Sequence, residues 1–136
     1  MERSLAFYRD LLGLAVVADA RASGEDLDKI IGLAGTQLRF VELEIPERQL
    51  LELLEFSSPA GRNLSPGASA ADVGSHHLAL TVDDIHETYA LLRSAGVSFT
   101  CEPVRIDTGY FADTWSAYCF DPDGLPVELS QKVRRE

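Results

Sequence analysis

His76-His-Leu-Ala-Leu-Thr-Val-Asp-Asp-Ile85 changes its period halfway along. The spacing predicts a strand over 76–82. Leu78, Leu80 and Val82 share one face, and His77, Ala79 and Thr81 share the other. Asp84 then opens a helix that Gly96 stops. A strand leading into a helix fixes the direction of packing. The apolar face of the strand meets the helix, and His77 is turned away from it.

The pattern continues outward on both sides. Downstream, 97–101 reads as a strand, 104–113 as a loop around Gly109, and Trp115 to Phe120 as a strand. Asp121-Pro-Asp-Gly124 is a tight turn, and Pro126 to Ser130 is the last strand. Upstream, 57–74 is rich in Ser, Pro, Gly and Ala and reads as a linker. Before it, Gln37 to Glu44 and Leu50 to Phe56 read as two strands joined by a hairpin loop over 45–49. Residues 20–36 form a polar excursion with a short helix from Glu25 to Ile31. Leu14 to Val17 is a short strand, and 2–12 is a helix ending at Gly13, with Leu5, Tyr8, Leu11 and Leu12 at helical spacing.

The halves repeat one plan of helix and three strands, each closing on a glutamate between apolar neighbours: Leu51-Glu52-Leu53 and Val127-Glu128-Leu129. The second half has one more strand, in front of its helix. The expected fold class is α+β: tandem βαβββ modules forming a cupped mixed sheet with helices on its outer face. The boundaries are 1–56 for the N-terminally incomplete first module, 57–74 for the linker, 75–131 for the second module and 132–136 for a tail.

A chain of 136 residues suits one domain or two small modules. The net charge of −10 argues against nucleic acid, which needs clustered cations, and the basic tail at Lys132, Arg134 and Arg135 is too short to reverse this. The apolar run from Leu5 to Val17 is broken by Arg9, Asp10 and Gly13, so no membrane span is expected. With no convincing leader, a cytoplasmic location is the expectation. Cys101 and Cys119 read as reduced strand thiols.

Glu52 faces away from Leu51 and Leu53, among Leu50, Leu54 and Phe56. Glu128 faces away from Val127 and Leu129. A carboxylate on an apolar face is costly unless paired or bound to a cation. With His77 these make a Glu-His-Glu set whose oxygen and imidazole donors suit a divalent ion such as Zn, Ni, Co, Mn or Fe. Each alone has a plainer reading. His77 would be a satisfied histidine, and the glutamates would lie on a wet sheet face.

Four stretches together resemble the vicinal oxygen chelate superfamily of glyoxalases, bleomycin-resistance proteins and extradiol dioxygenases. They are the first helix with Phe7, Tyr8, Leu12 and Gly13, the strand Leu51 to Phe56, the stretch His76 to Ile85, and Asp121 to Glu128. The resemblance implies that Glu52, His77 and Glu128 are metal ligands, His77 rather than His76 because it directly precedes Leu-Ala-Leu. By that resemblance a fourth ligand, a histidine, belongs to a strand before the first helix. The chain starts inside that helix, so about ten further residues are expected upstream. Without them the set stops at three and a sheet edge stays open.

The resemblance implies a metal-dependent isomerase or lyase of the glyoxalase or epimerase kind. Its substrate would be a small carbonyl or thioester compound reacting through an enolate or enediolate. Glu128, then Glu52, is the candidate for moving the proton. Phe56, Trp115, Tyr118, Arg62 and Arg105 are the candidate substrate contacts. His86 reads as a surface residue. Two other readings stand beside this one: a metal-free drug-binding protein, and a ring-cleaving dioxygenase in which only His77 and Glu128 match. A homodimer is expected, since paired modules complete the sheet.

Overall fold

A computed structural model describes residues 1–46, 49–62 and 69–133. The middle of the expected linker, part of the hairpin loop and the end of the tail lie outside these. The chain divides into two compact units, Met1–Pro66 and Gly67–Glu136. The division falls within the Ser/Pro/Gly-rich segment. Three α-helices and two sheets give the α+β class. No helix among the described residues is long and apolar enough to cross a membrane.

The first unit starts with α1, Glu2–Leu5, which widens into a π-helical stretch, Ala6–Leu11. A single α-helix over 2–12 was expected. The widening shows in the bond from the Leu12 N–H to the Phe7 carbonyl at 3.0 Å, five residues back. It alters which side chains turn inward. Leu5, Phe7 and Tyr8 are buried, whereas Leu11 and Leu12 are only half-buried. Gly13 ends the helix at φ +74°, a conformation that costs other residues more.

Strand β1, Ala15–Ser23, runs further than the apolar quartet suggested, because its pairing with β2, Gln37–Ile45, carries the polar half. α2, Glu25–Ile31, lies between them and ends at Gly32 in the left-handed region. The Asp28 carboxylate closes the next loop, accepting from the N–H groups of Gly35 at 2.8 Å and Thr36 at 2.7 Å. β3, Gln49–Ser58, pairs antiparallel with β2. The order is β1-β2-β3. Val41 and Leu43 of β2 are fully buried on one sheet face.

Arg39 shares that face and holds three elements together. It donates to Asp19 of β1 through Nε and Nη2, both at 2.8 Å, and to Glu2 of α1 at 2.6 Å. The bidentate guanidinium draws the Asp19 carboxyl below the ordinary carboxylate range. The donated N–H groups of Gly35 and Thr36 do the same for Asp28. A carboxyl depressed in the folded state adds stability above its unfolded value, about 3.9, and loses it as pH falls through the folded one. The urea midpoint of the protein is therefore expected to drop between pH 5 and pH 2, and less steeply in Asp19→Asn. Parallel curves for the two proteins would show that Asp19 contributes nothing.

In the second unit the order is β4-β7-β6-β5. β4, Leu78–Thr81, runs parallel to β7, Pro126–Lys132, with Leu78 beside Val127 and Ala79 beside Glu128. It starts two residues later than expected. The ladder cannot extend back to His77 through Pro126, which has no N–H to give. α3, Ile85–Ser94, is capped by Asp84, whose carboxylate accepts from the N–H groups of His86 and Glu87 at 2.9 Å each.

The stretch 97–101 makes a single bridge, Phe99 to Cys119, instead of a strand. Pairing resumes beyond Pro103 as β5, Val104–Ile106, inside the segment expected to be a loop. β6, Thr114–Phe120, lies antiparallel to both β5 and β7. Leu80, Ala117, Cys119, Val127 and Leu129 pack beneath Ile85 and Leu92 of α3 as the core of this unit.

Both cysteines are free thiols. Burial pushes the Cys119 thiol up to about 11, while Cys101 is exposed. Thiolate is the reactive form. One thiol is therefore expected to react with Ellman's reagent in the native protein and a second only in denaturant. Two fast thiols would mean that Cys119 is not covered.

Candidate metal centre

The register of β6 on β7 decides the centre. Tyr118 lies directly opposite Glu128, and Ser116 opposite Ser130. Ser116, Tyr118, Glu128 and Ser130 therefore share the face turned away from α3, together with Ala79 and Thr81 of β4. The other face takes Ala117, Cys119, Val127 and Leu129, which are buried.

On the open face four side chains converge. Ser116 Oγ donates to Glu128 Oε1 at 2.9 Å, and Tyr118 Oη donates to Glu128 Oε2 at 2.9 Å. His77 Nε2 lies 3.3 Å from Glu128 Oε2 and 3.3 Å from Tyr118 Oη. The His77 and Tyr118 rings meet edge-on, with centroids 5.3 Å apart. Burial, then the hydrogen bond and charge of Glu128, push the Tyr118 phenol upward. At neutral pH it is therefore the donor to the carboxylate. Ala79 beside Glu128 has only a methyl group, which leaves the face open.

Two donor atoms at about 2.0–2.2 Å from one small divalent ion stand about 3 Å apart. The imidazole nitrogen and carboxylate oxygen of this unit fit that spacing, and their chemistry suits a borderline ion. Within neither unit do the described residues gather three His, Cys, Asp or Glu side chains around one point.

The remaining candidates fall elsewhere. Glu52 is exposed on β3, directly opposite Glu42 of β2, with no hydrogen bond or ion pair among the described residues. Phe56 is half-buried on the same strand, opposite Leu38. Arg62 is exposed in the segment after β3. Trp115 was grouped with Tyr118, but the two are an odd step apart on one strand. Trp115 therefore turns toward α3 and stacks edge-on against His86, with centroids 4.6 Å apart. Arg105, opposite Trp115, pairs with Asp107 at 3.1 Å and Asp113 at 3.5 Å. A cleft of about 460 Å³ opens near Thr81, Asp83, Trp115, Gln131 and Lys132. None of His77, Tyr118 and Glu128 lines it.

Sequence reasoning missed Ser116. Strand parity was the available signal, since Ser116 and Tyr118 are two apart and share a face.

A histidine and a strand glutamate meet on the open face of a mixed sheet backed by a helix, in a protein of the α+β class. The chain belongs to the glyoxalase/bleomycin resistance protein/dioxygenase superfamily, whose signature matches residues 1–129. It is 32% identical over 129 residues to the uncharacterized protein YaeR of Escherichia coli (strain K12), covering 95% of this chain and 85% of YaeR. It is 30% identical over 134 residues to a 2-epi-5-epi-valiolone epimerase of Actinomyces sp, covering 95% of this chain and 72% of that protein. The crystal structure of a glyoxalase family protein from Bacillus cereus superposes with a TM-score of 0.87 at 20% identity, covering 98% of this chain and 87% of the other. That likeness bears on the fold.

Proposed function

We propose that this protein is a metal-dependent isomerase or lyase of the glyoxalase or epimerase kind, acting on a small carbonyl or thioester compound through an enolate or enediolate. The observation that carries the reading is the 3.3 Å separation of His77 Nε2 and Glu128 Oε2 on an open face. The family membership and the likeness to an epimerase support it.

His77 would hold the ion through Nε2 and Glu128 through Oε2. Glu52, on the strand of the first unit that matches β7, is the carboxylate that the family likeness adds. A divalent ion bound there supplies Lewis acidity to a substrate carbonyl while the neighbouring carbon loses its proton. Small and hydroxyl-bearing side chains around Glu128 leave room for a polar substrate. Both Glu128 oxygens already accept hydrogen bonds, which fixes the carboxylate and suits it to a ligand's part. Glu52, which has no such donors among the described residues, is by the family likeness the second candidate for moving the proton, after Glu128.

Metal analysis of the purified protein after reconstitution with each of Zn, Ni, Co, Mn and Fe tests the first half of the reading. Proton NMR in D2O with a panel of 2-hydroxy ketones and acyl thioesters tests the second. Exchange of the α-proton is expected with the metallated protein and is expected to fall in Glu52→Gln. Failure to retain any ion would leave the drug-binding reading in its place.

A further inference from the structure

The two repeats treat their glutamates differently. In the first unit the residue opposite Glu52 is Glu42, and the residue two before it on β2 is Phe40. In the second unit the matching positions hold Tyr118 and Ser116. The first pair offers the carboxylate no donor; the second offers one hydroxyl to each oxygen, at 2.9 Å.

We infer that Ser116 is a positioning residue that holds Glu128 in ligand geometry, with Oε2 presented to His77. The inference deepens the metal-centre reading and rests on it. A glutamate has three rotatable side-chain bonds, so an unrestrained carboxylate spends much of its time away from any one ligand position. Tyr118 alone does not fix it, because its phenol is bonded to Oε2, the oxygen nearest His77 Nε2. His77 and Glu128 would hold the ion through those same two atoms, in competition with that hydrogen bond. Ser116 bonds the other oxygen, so its contact persists whether or not the site is filled. It therefore keeps the plane of the carboxylate when Tyr118 lets go. Hydrogen-bond partners behind metal ligands have this effect generally, and their loss costs about 10–100-fold in metal affinity.

The test is isothermal titration of the full chain with Zn²⁺, comparing wild type, Ser116→Ala, Ser116→Thr and Glu128→Gln. Ser116→Ala is expected to bind about 10–100-fold more weakly. Ser116→Thr, which keeps the hydroxyl, should bind as wild type does. A merely structural role for Ser116 would lower the melting temperature without following that alternation. Ser116→Ala binding as tightly as wild type, with Glu128→Gln losing the ion, would overturn the inference and leave the metal centre standing. A wild type that takes up no Zn²⁺ would remove the metal reading instead. The carboxyl ¹³C signal of Glu128 in the metal-free protein then decides the positioning by itself. A shift in Ser116→Ala but not in Ser116→Thr keeps it, and an unmoved signal in both removes it.

Discussion

His77→Ala is expected to weaken Zn²⁺ binding by at least about 100-fold, the upper end of what loss of a supporting hydrogen bond costs, because it removes a donor atom outright. The imidazole is well placed to be deleted cleanly. It precedes β4, contributes nothing to the ladder, and is half-exposed, with its side chain 45% accessible. The fold of the second unit should survive, so circular dichroism and the urea midpoint ought to match wild type. His76→Ala provides the control. Among the described residues that ring reaches only the Gly74 carbonyl, at 3.5 Å, and its loss should leave the affinity unchanged. Titration calorimetry reads both. Equal affinities for His77→Ala and wild type would take the metal centre away from this histidine.

Leu129→Ala is expected to cost about 2–5 kcal/mol of folding stability, the range for truncating a fully buried leucine. Leu129 is 0% exposed and lies between Leu80 and Ala117 in the ladder. Ala117 is too small to fill the gap, and the cavity would open beneath α3. Such a loss exceeds what most single substitutions cause. Urea unfolding followed by Trp115 fluorescence measures it in the right unit, since Trp115 packs on the same face. The neighbouring Glu128 points the other way, so a Leu129→Ala protein that stays folded should still bind Zn²⁺. A change under 1 kcal/mol would show that this side chain is not the centre of the core.

Much of the fold is legible without coordinates because strand parity and helix punctuation are local. Gly13, Gly32 and Gly96 all adopt positive φ where a helix ends. The alternation in 77–82 correctly separates Leu80, which is buried, from Ala79 and Thr81, which are exposed. The failures are where pairing decides. A strand over 97–101 requires a continuous neighbour, and the stretch makes one bridge, Phe99 to Cys119. The π-helical stretch at Ala6–Leu11 changes the inward side by one step, and nothing in that sequence announces the extra residue per turn.

The same division holds for the centre. That Glu128 leaves the core follows from Val127 and Leu129 alone, because consecutive strand residues point to opposite faces whatever the partner strand is. That Trp115 and Tyr118 part company follows from counting, and the count was available. What only the tertiary structure decided is which hydroxyls meet the carboxylate. Ser116 and Tyr118 are 12 and 10 residues from Glu128, across a turn, and reach it only in the register that places Tyr118 opposite it. Register is a property of two strands and their turn together. A shift by one residue would hand Glu128 to Ala117 or Cys119, which have no hydroxyl to offer.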